Sequence, residues 1–279
     1  MGVTAIWGST FVVVKDAVGK MPVTDFLTWR FGLAALAMLA IRPRSVGRLG
    51  AAGRRRGAVV GVALGAGYLL QTLGLQHTSA AVSGFITGMF VVLTPLTAAV
   101  LLRRRVGTAA WAAAGLATVG LALLSLHGFS VGRGELLTLA CALSFALHIV
   151  GLGEWASRYD TFGLAVVQLL TTFVLCAVVA VPGGLDLPPD ASVWGALALT
   201  ALAATALAFV VQTWAQSRLA PTRAAVIMTM EPVFSGLFAV GLDGERLSGR
   251  TVAGAVLVLI AMLLTEARSS TPHPERLEV

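Results

Sequence analysis

Apolar residues in this chain fall in long, nearly unbroken runs, rather than in the alternation of a half-buried strand or the stripe of an amphipathic helix. The runs lie near 2–19, 23–41, 58–76, 81–102, 109–126, 133–152, 161–181, 191–213, 223–242 and 250–266, with Pro, Gly or charge between them. A helix needs about 20 mainly apolar residues to cross a bilayer core of roughly 30 Å. Only helices or closed barrels satisfy their own backbone polar groups there, so each run predicts a membrane-spanning helix. The first run reads as a helix and not as a signal peptide, because no Lys or Arg precedes Ile6 and no small-residue cleavage site precedes Lys15-Asp16.

Composition fixes the class: 57% hydrophobic residues, 12% charged residues and a mean hydropathy of +0.87 are far from soluble values. Roughly ten spans fill the 279 residues and leave no sizeable domain outside the membrane. Cys141 and Cys176 sit inside apolar runs as small hydrophobes, and no disulfide, metal or cofactor is implied. Charge then orients the chain. Arg42, Arg44, Arg48, Arg54, Arg55 and Arg56 crowd one loop and Arg103, Arg104 and Arg105 another, whereas 182–190 has no Lys or Arg. By the positive-inside bias the arginine-rich loops are cytoplasmic, and ten spans place both termini inside. Arg218 and Arg223 fall at inside ends and Arg268 begins a polar tail, 267–279, while Arg246 and Arg250 outside are offset by Asp243 and Glu245. The pI of about 10.7 therefore reflects insertion bias and attraction to anionic headgroups, not nucleic-acid binding.

Two copies of one plan emerge, 1–126 and 133–266. Gln71-Thr72 and Gln212-Thr213 match at an offset of 141, and Trp111 onward matches Val252 onward at the same offset. Arg30 aligns with Gln168 at 138, and Thr94-Pro95 with Glu231-Pro232 at 137. Five spans per copy is an odd number, so the copies insert in opposite orientations. The expected fold is an all-α integral membrane protein of ten transmembrane helices in two inverted five-helix repeats, a device that recurs in secondary transporters.

Trp7-Gly8-Ser9-Thr10-Phe11, Trp29-Arg30-Phe31, Gly84-Phe85-Ile86-Thr87-Gly88 leading to Pro95, Glu231-Pro232-Val233 and Gly244-Glu245-Arg246-Leu247-Ser248 together resemble the EamA family of the drug/metabolite transporter superfamily. The second copy departs from the first, with Ala142-Leu143-Ser144-Phe145 in place of the Trp-Gly signature. The resemblance implies a carrier in a bacterial-type inner membrane that moves a small metabolite, amino acid or drug-like compound through a central cavity, often outward. Uptake by the same fold is the alternative, and a channel or non-transporting protein a weaker one.

Glu231 is the leading site candidate, because an ionised carboxylate within a span is costly and usually faces a cavity or a partner. Proton coupling is the functional reading and a fixed structural ion pair the plain one. Arg30 is the other deep charge: a permanent cation for a substrate carboxylate or for Glu231, or a side chain that snorkels outward. Lys15 and Asp16 read as interface charges. Trp7, Ser9, Thr10, Trp29, Gln71, Thr87, Thr94, His148, Gln168 and Gln212 are candidate lining on the substrate and proton pathway, against interhelical hydrogen bonding as the alternative. Pro95 and Pro232 are candidate hinges, since a mid-helix proline leaves the carbonyl four residues back unpaired. Gly57, Gly61 and Gly65, like Gly84 and Gly88, allow close helix approach, within the bundle or in a homodimer. The chain has no phosphate-binding Gly-x-x-x-x-Gly-Lys-Ser/Thr loop, no His-Glu-x-x-His and no Gly-x-Ser-x-Gly, so a nucleotide engine and the usual membrane hydrolases are set aside.

Overall fold

The computed structural model describes residues 2–103, 108–127, 130–218 and 228–267. Arg104, Arg105, Arg223 and the tail beyond Ala267 lie outside the described residues. In chain order the helices are α1 (Gly2–Val18), α2 (Val23–Ile41), the short α3 (Ser45–Arg48), α4 (Gly50–Leu75), α5 (Ala80–Gly88), α6 (Phe90–Leu102) and α7 (Thr108–Ser125). Then come α8 (Arg133–Trp155), α9 (Thr161–Ala180), α10 (Ala191–Ala198), α11 (Ala208–Gln216), α12 (Met230–Leu242) and α13 (Gly249–Ala267). A π-helical stretch, Leu199–Leu207, makes α10 and α11 continuous. Among the described residues the only strands are Leu126–His127 and Ser130–Val131, an antiparallel pair between α7 and α8.

Six stretches are long and apolar enough to cross a membrane: Val23–Ile41, Gly50–Leu75, Ala80–Leu102, Arg133–Arg158, Thr161–Gly183 and Ala191–Gln216. Trp111–Leu124, Met230–Leu242 and Gly249–Leu264 are shorter apolar helices. Leu36, Ile41, Val100, Val178, Leu237 and Leu242 are exposed on the bundle's flanks, an arrangement that hydrocarbon favours and water penalises.

Helix ends differ from the hydropathy runs where charge, not backbone, ended the run. α4 starts at Gly50 and not near residue 58, carrying exposed Arg54, Arg55 and Arg56 on its first turns, because Arg and Ala are good helix formers even in water. α8 likewise continues to Trp155, and the helix containing α11 to Gln216. The predicted run 81–102 is broken at Met89, whose amide bonds back to Ile86 at 3.1 Å in a tight turn. A matching turn at Thr229 precedes α12. Pro95 and Pro232 follow these two breaks, and each withholds the amide that would have reached Val91 or Met228.

The packing is pairwise and close. α2 lies on α9, α7 on α13, α4 on both α8 and α9, and α12 on both α1 and α5. The Gly57-Gly61-Gly65 stripe is covered by α9 of the same chain. A Cβ on Gly61 would lie 2.7 Å from the Thr171 Cβ and 2.9 Å from the Gln168 carbonyl oxygen, and Thr172 Oγ1 donates to the Gly61 carbonyl at 3.1 Å. That stripe therefore serves the bundle and is not a free dimer face. Gly61→Ala should force α4 off α9 and cost about 1–3 kcal/mol. Gly153→Ala, where an added Cβ meets nothing within 4 Å, should be neutral or stabilising through helix propensity. Thermal unfolding of the purified variants in detergent checks the contrast.

Candidate functional site

Five helix segments contribute residues one turn apart to a single open-mouthed cavity. The pairs are Trp7 and Thr10 on α1, Tyr68 and Gln71 on α4, Phe145 and His148 on α8, Phe209 and Gln212 on α11, and Met228, just before the Thr229 turn, with Glu231 in the first turn of α12. Positions i and i+3 share a helix face, so in each pair a bulky side chain, aromatic in four of the five, brings a polar neighbour to the same wall. Phe11, Leu64, Phe90 and Ile149 complete the lining.

The rings interlock. Tyr68 meets Phe31, Phe145 and Phe209 edge-on at centroid distances of 5.0, 5.3 and 6.2 Å, and Trp7 lies 5.8 Å from Phe209. Trp7 Nε1 donates to the Ala204 carbonyl at 2.8 Å. Ala204 lies in the π-helical stretch, whose wider turn and i→i+5 bonding redirect carbonyls that an α-helix would use internally. Gln71 Nε2 donates to Thr87 Oγ1 at 3.3 Å. His148 Nε2 and Gln168 Oε1 are 2.7 Å apart, and Gln168 Nε2 donates to the Leu164 carbonyl at 3.1 Å. Because the Gln168 oxygen only accepts, the imidazole proton is on Nε2, and in the neutral ring Nδ1 is an acceptor. Glu231 is 7% exposed, lines the cavity, and has no hydrogen-bond or ion-pair partner among the described residues.

The predicted site residues thus separate into three groups. Trp7, Thr10, Gln71, His148, Gln212 and Glu231 share the cavity. Gln168 stands behind His148 as its hydrogen-bond partner, and Arg30 stands behind Tyr68. The Arg30 guanidinium lies 4.7 Å over the Tyr68 ring and 5.5 Å over Phe31, and Nε donates to Thr205 Oγ1 at 2.9 Å. At 2% exposure Arg30 neither snorkels nor lines the cavity. The third group is elsewhere: Trp29 donates from Nε1 to the Asp186 carbonyl at 2.9 Å and packs on Trp194, and Thr94 Oγ1 bonds its own helix at Phe90. Ser9 likewise bonds back to Ile6. Tyr68, Phe145 and Phe209 were missed because bulky aromatic residues on a spanning helix look like lipid-facing or core residues. The available signal was their position three residues before each lining amide or imidazole.

At the end of the bundle away from the arginine-rich loops, Lys15 on α1 pairs with Glu245 at 3.2 Å and Asp243 at 3.4 Å in the loop between α12 and α13. Glu245 also accepts from the Ala80 amide at 2.7 Å and the Ala81 amide at 3.3 Å, so it caps α5. Gly244, at φ +64°, turns the loop into this position. Ser235 Oγ donates to the Ala80 carbonyl at 3.0 Å. Three separate stretches of chain are thereby fastened above the cavity.

An apolar-surfaced helical bundle around a polar and aromatic cavity has the architecture of a membrane transporter. The model of the EamA-like transporter family matches residues 1–126 and 132–266, and the chain belongs to that family. An uncharacterized transporter of Archaeoglobus fulgidus is 34% identical over 267 residues, covering 95% of this chain and 84% of the relative. The uncharacterized transporter YyaM of Bacillus subtilis is 25% identical over 282 residues, covering 94% and 90% respectively. A crystal structure of a further protein, 22% identical, superposes with a TM-score of 0.69 over 97% of each chain and so shares the fold. The protein is a multi-pass membrane transporter and not an enzyme.

Partial burial raises the Glu245 carboxyl, but the Ala80 and Ala81 amides and Lys15 outweigh it and hold the group below its usual range. A carboxylate depressed in the folded state stabilises the fold above its ordinary pKa, near 4.3, and loses that contribution as pH falls through the folded value. The thermal midpoint of the native protein should therefore exceed that of Glu245→Gln at pH 7, and the gap should shrink below about pH 4.5. A gap that did not vary with pH would assign the effect to packing.

Proposed function

We propose that the protein is a gradient-driven secondary carrier that exports a small metabolite, amino acid or drug-like compound by alternating access, with Glu231 exchanging a proton as the cavity changes sides. One observation carries the reading. Tyr68 and Gln71 on α4 and Phe209 and Gln212 on α11 all line the cavity and form two pairs 141 positions apart, the offset that relates Gln71-Thr72 to Gln212-Thr213 in the sequence. Two copies of one plan, 1–126 and 133–266, would meet at the cavity in opposite orientations, as ten spans in inverted repeats require. The pairing of helices agrees with it. α2 on α9 and α7 on α13 are each their own counterpart, and α12 on α1 has its counterpart in α5 and α6 on α8.

Orientation follows from the arginines: Arg42 to Arg56 and Arg103 on the cytoplasmic side, with both termini, and the Lys15–Glu245 contact on the outside. In that placement the outer end is closed by ion pairs and a helix cap. Rocking of one repeat against the other, hinged at the Met89 and Thr229 breaks beside Pro95 and Pro232, would open it. Exchange of two similar halves makes both states of comparable energy, which a carrier needs and a channel does not. Partners are then the substrate, protons and the bilayer; a homodimer would need a face other than the Gly57-Gly65 stripe.

Everted membrane vesicles loaded with a panel of amino acids, nucleosides and organic cations, with and without a proton gradient, test the reading. Glu231→Gln should abolish gradient-driven accumulation while counterflow of labelled substrate persists. Unchanged accumulation in Glu231→Gln would remove the coupling role, and absence of counterflow for every transported compound would favour a channel.

A further inference from the structure

The buried cation Arg30 and the cavity-lining anion Glu231 stand on opposite sides of the aromatic wall. Arg30 is behind Tyr68, with its charge spread over the Tyr68 and Phe31 faces and its Nε bonded to Thr205. Its Nη2 is buried without a partner, and it contributes nothing to the lining. A ligand carboxylate in the cavity would find no described cation on the wall, and would meet Glu231 at close range.

The wall is instead rich in acceptors. Glu231 presents a carboxylate with no partner among the described residues. Gln212 keeps Oε1 buried with no donor. His148, with its proton committed to Gln168, has Nδ1 left as an acceptor. A buried acceptor left unpaired is costly, more so when charged, and a bound donor recovers that cost. An ammonium group is donor-only and carries the compensating charge. The surrounding Trp7, Tyr68, Phe145 and Phe209 rings add π-systems that attract a cation and an apolar surface for a hydrocarbon body.

Taking the cavity as the substrate site proposed above, we infer that its substrate is a protonated primary or secondary amine with a compact apolar body, held through N–H donors by Glu231, Gln212 and His148. The N–H requirement separates this class from quaternary ammonium compounds, which match the charge and the rings but leave the Gln212 and His148 acceptors unanswered.

Equilibrium binding to the purified full chain in detergent, by calorimetry and without any gradient, tests the class apart from the transport mechanism. The probes are phenethylamine, its N,N,N-trimethyl derivative and 3-phenylpropionate, which share one body and differ in the head. Phenethylamine should bind at least about tenfold tighter than either of the others, a difference near 1.4 kcal/mol. Glu231→Gln should weaken phenethylamine about tenfold or more. Gln212→Leu, which keeps Glu231 in place, should reduce the preference for phenethylamine over the trimethyl form. Equal or tighter binding of the carboxylate, or no preference among the three, or no binding at millimolar concentration, overturns the inference, and the comparison of probes on the native chain does so without relying on any variant. Amine binding without counterflow in vesicles would sink the carrier reading and leave the ligand class standing. Counterflow of carboxylates but not amines would do the reverse.

Discussion

The cavity depends on how closely helix backbones approach beside it. α1, α5 and α12 meet where side chains are missing or small. A Cβ on Gly8 would lie 2.6 Å from the Phe234 Cβ, and one on Gly84 would collide with Ser235. In hydrocarbon no hydrophobic effect drives helices together, so dispersion at such contacts and the hydrogen bonds they permit hold the bundle. Ser235, in the gap left by Gly84, reaches the carbonyl of Ala80. One turn earlier on the same helix, Glu231 is carried to the cavity edge. The depth of the charge is thus set by a backbone contact and not by the charge itself.

A second constraint is electrostatic. A guanidinium and a carboxylate in one bundle would be expected to pair, since each alone is costly away from water. Here Arg30 is instead held against two ring faces and a threonine hydroxyl, and this keeps the carboxylate available. Tyr68 stands at the centre of the arrangement. It screens the cation with one face, and its edges pack on Phe31, Phe145 and Phe209 to form the wall.

Much of this was legible in the sequence, and the limits are instructive. Apolar runs located the six helices long enough to cross a membrane and three shorter apolar ones, because burial in lipid is a property of composition. They misplaced the start of α4 by eight residues because helix formation does not stop where hydrophobicity does. The 141-residue offset read from Gln71-Thr72 and Gln212-Thr213 is also the spacing of Tyr68 and Phe209 on the cavity wall, whereas Arg30 and Gln168, at 138, stand behind it. Trp29 could not be told from a lining residue, because a tryptophan near the end of a span serves a cavity or an interface equally well until its neighbours are known. The same holds for Arg30: its depth was readable, but which side of Tyr68 it occupied was not.

The π-helical stretch Leu199–Leu207 holds more than a pair of hydrogen bonds. Its wide turn carries the Ala204 carbonyl to Trp7 and the Thr205 hydroxyl to Arg30, and α11 follows directly with Phe209 and Gln212. Helical phase accumulates along a rod at about 100° per residue. A π turn takes up about one residue more than an α turn, so loss of one residue from this stretch would restore ordinary pitch with Phe209 and Gln212 close to their present faces. The Ala204 carbonyl and the Thr205 hydroxyl would be drawn away from Trp7 and Arg30, with almost no change in span length or hydropathy. The identity of the site is therefore written partly in the count of residues between two turns, a quantity that no single side chain records.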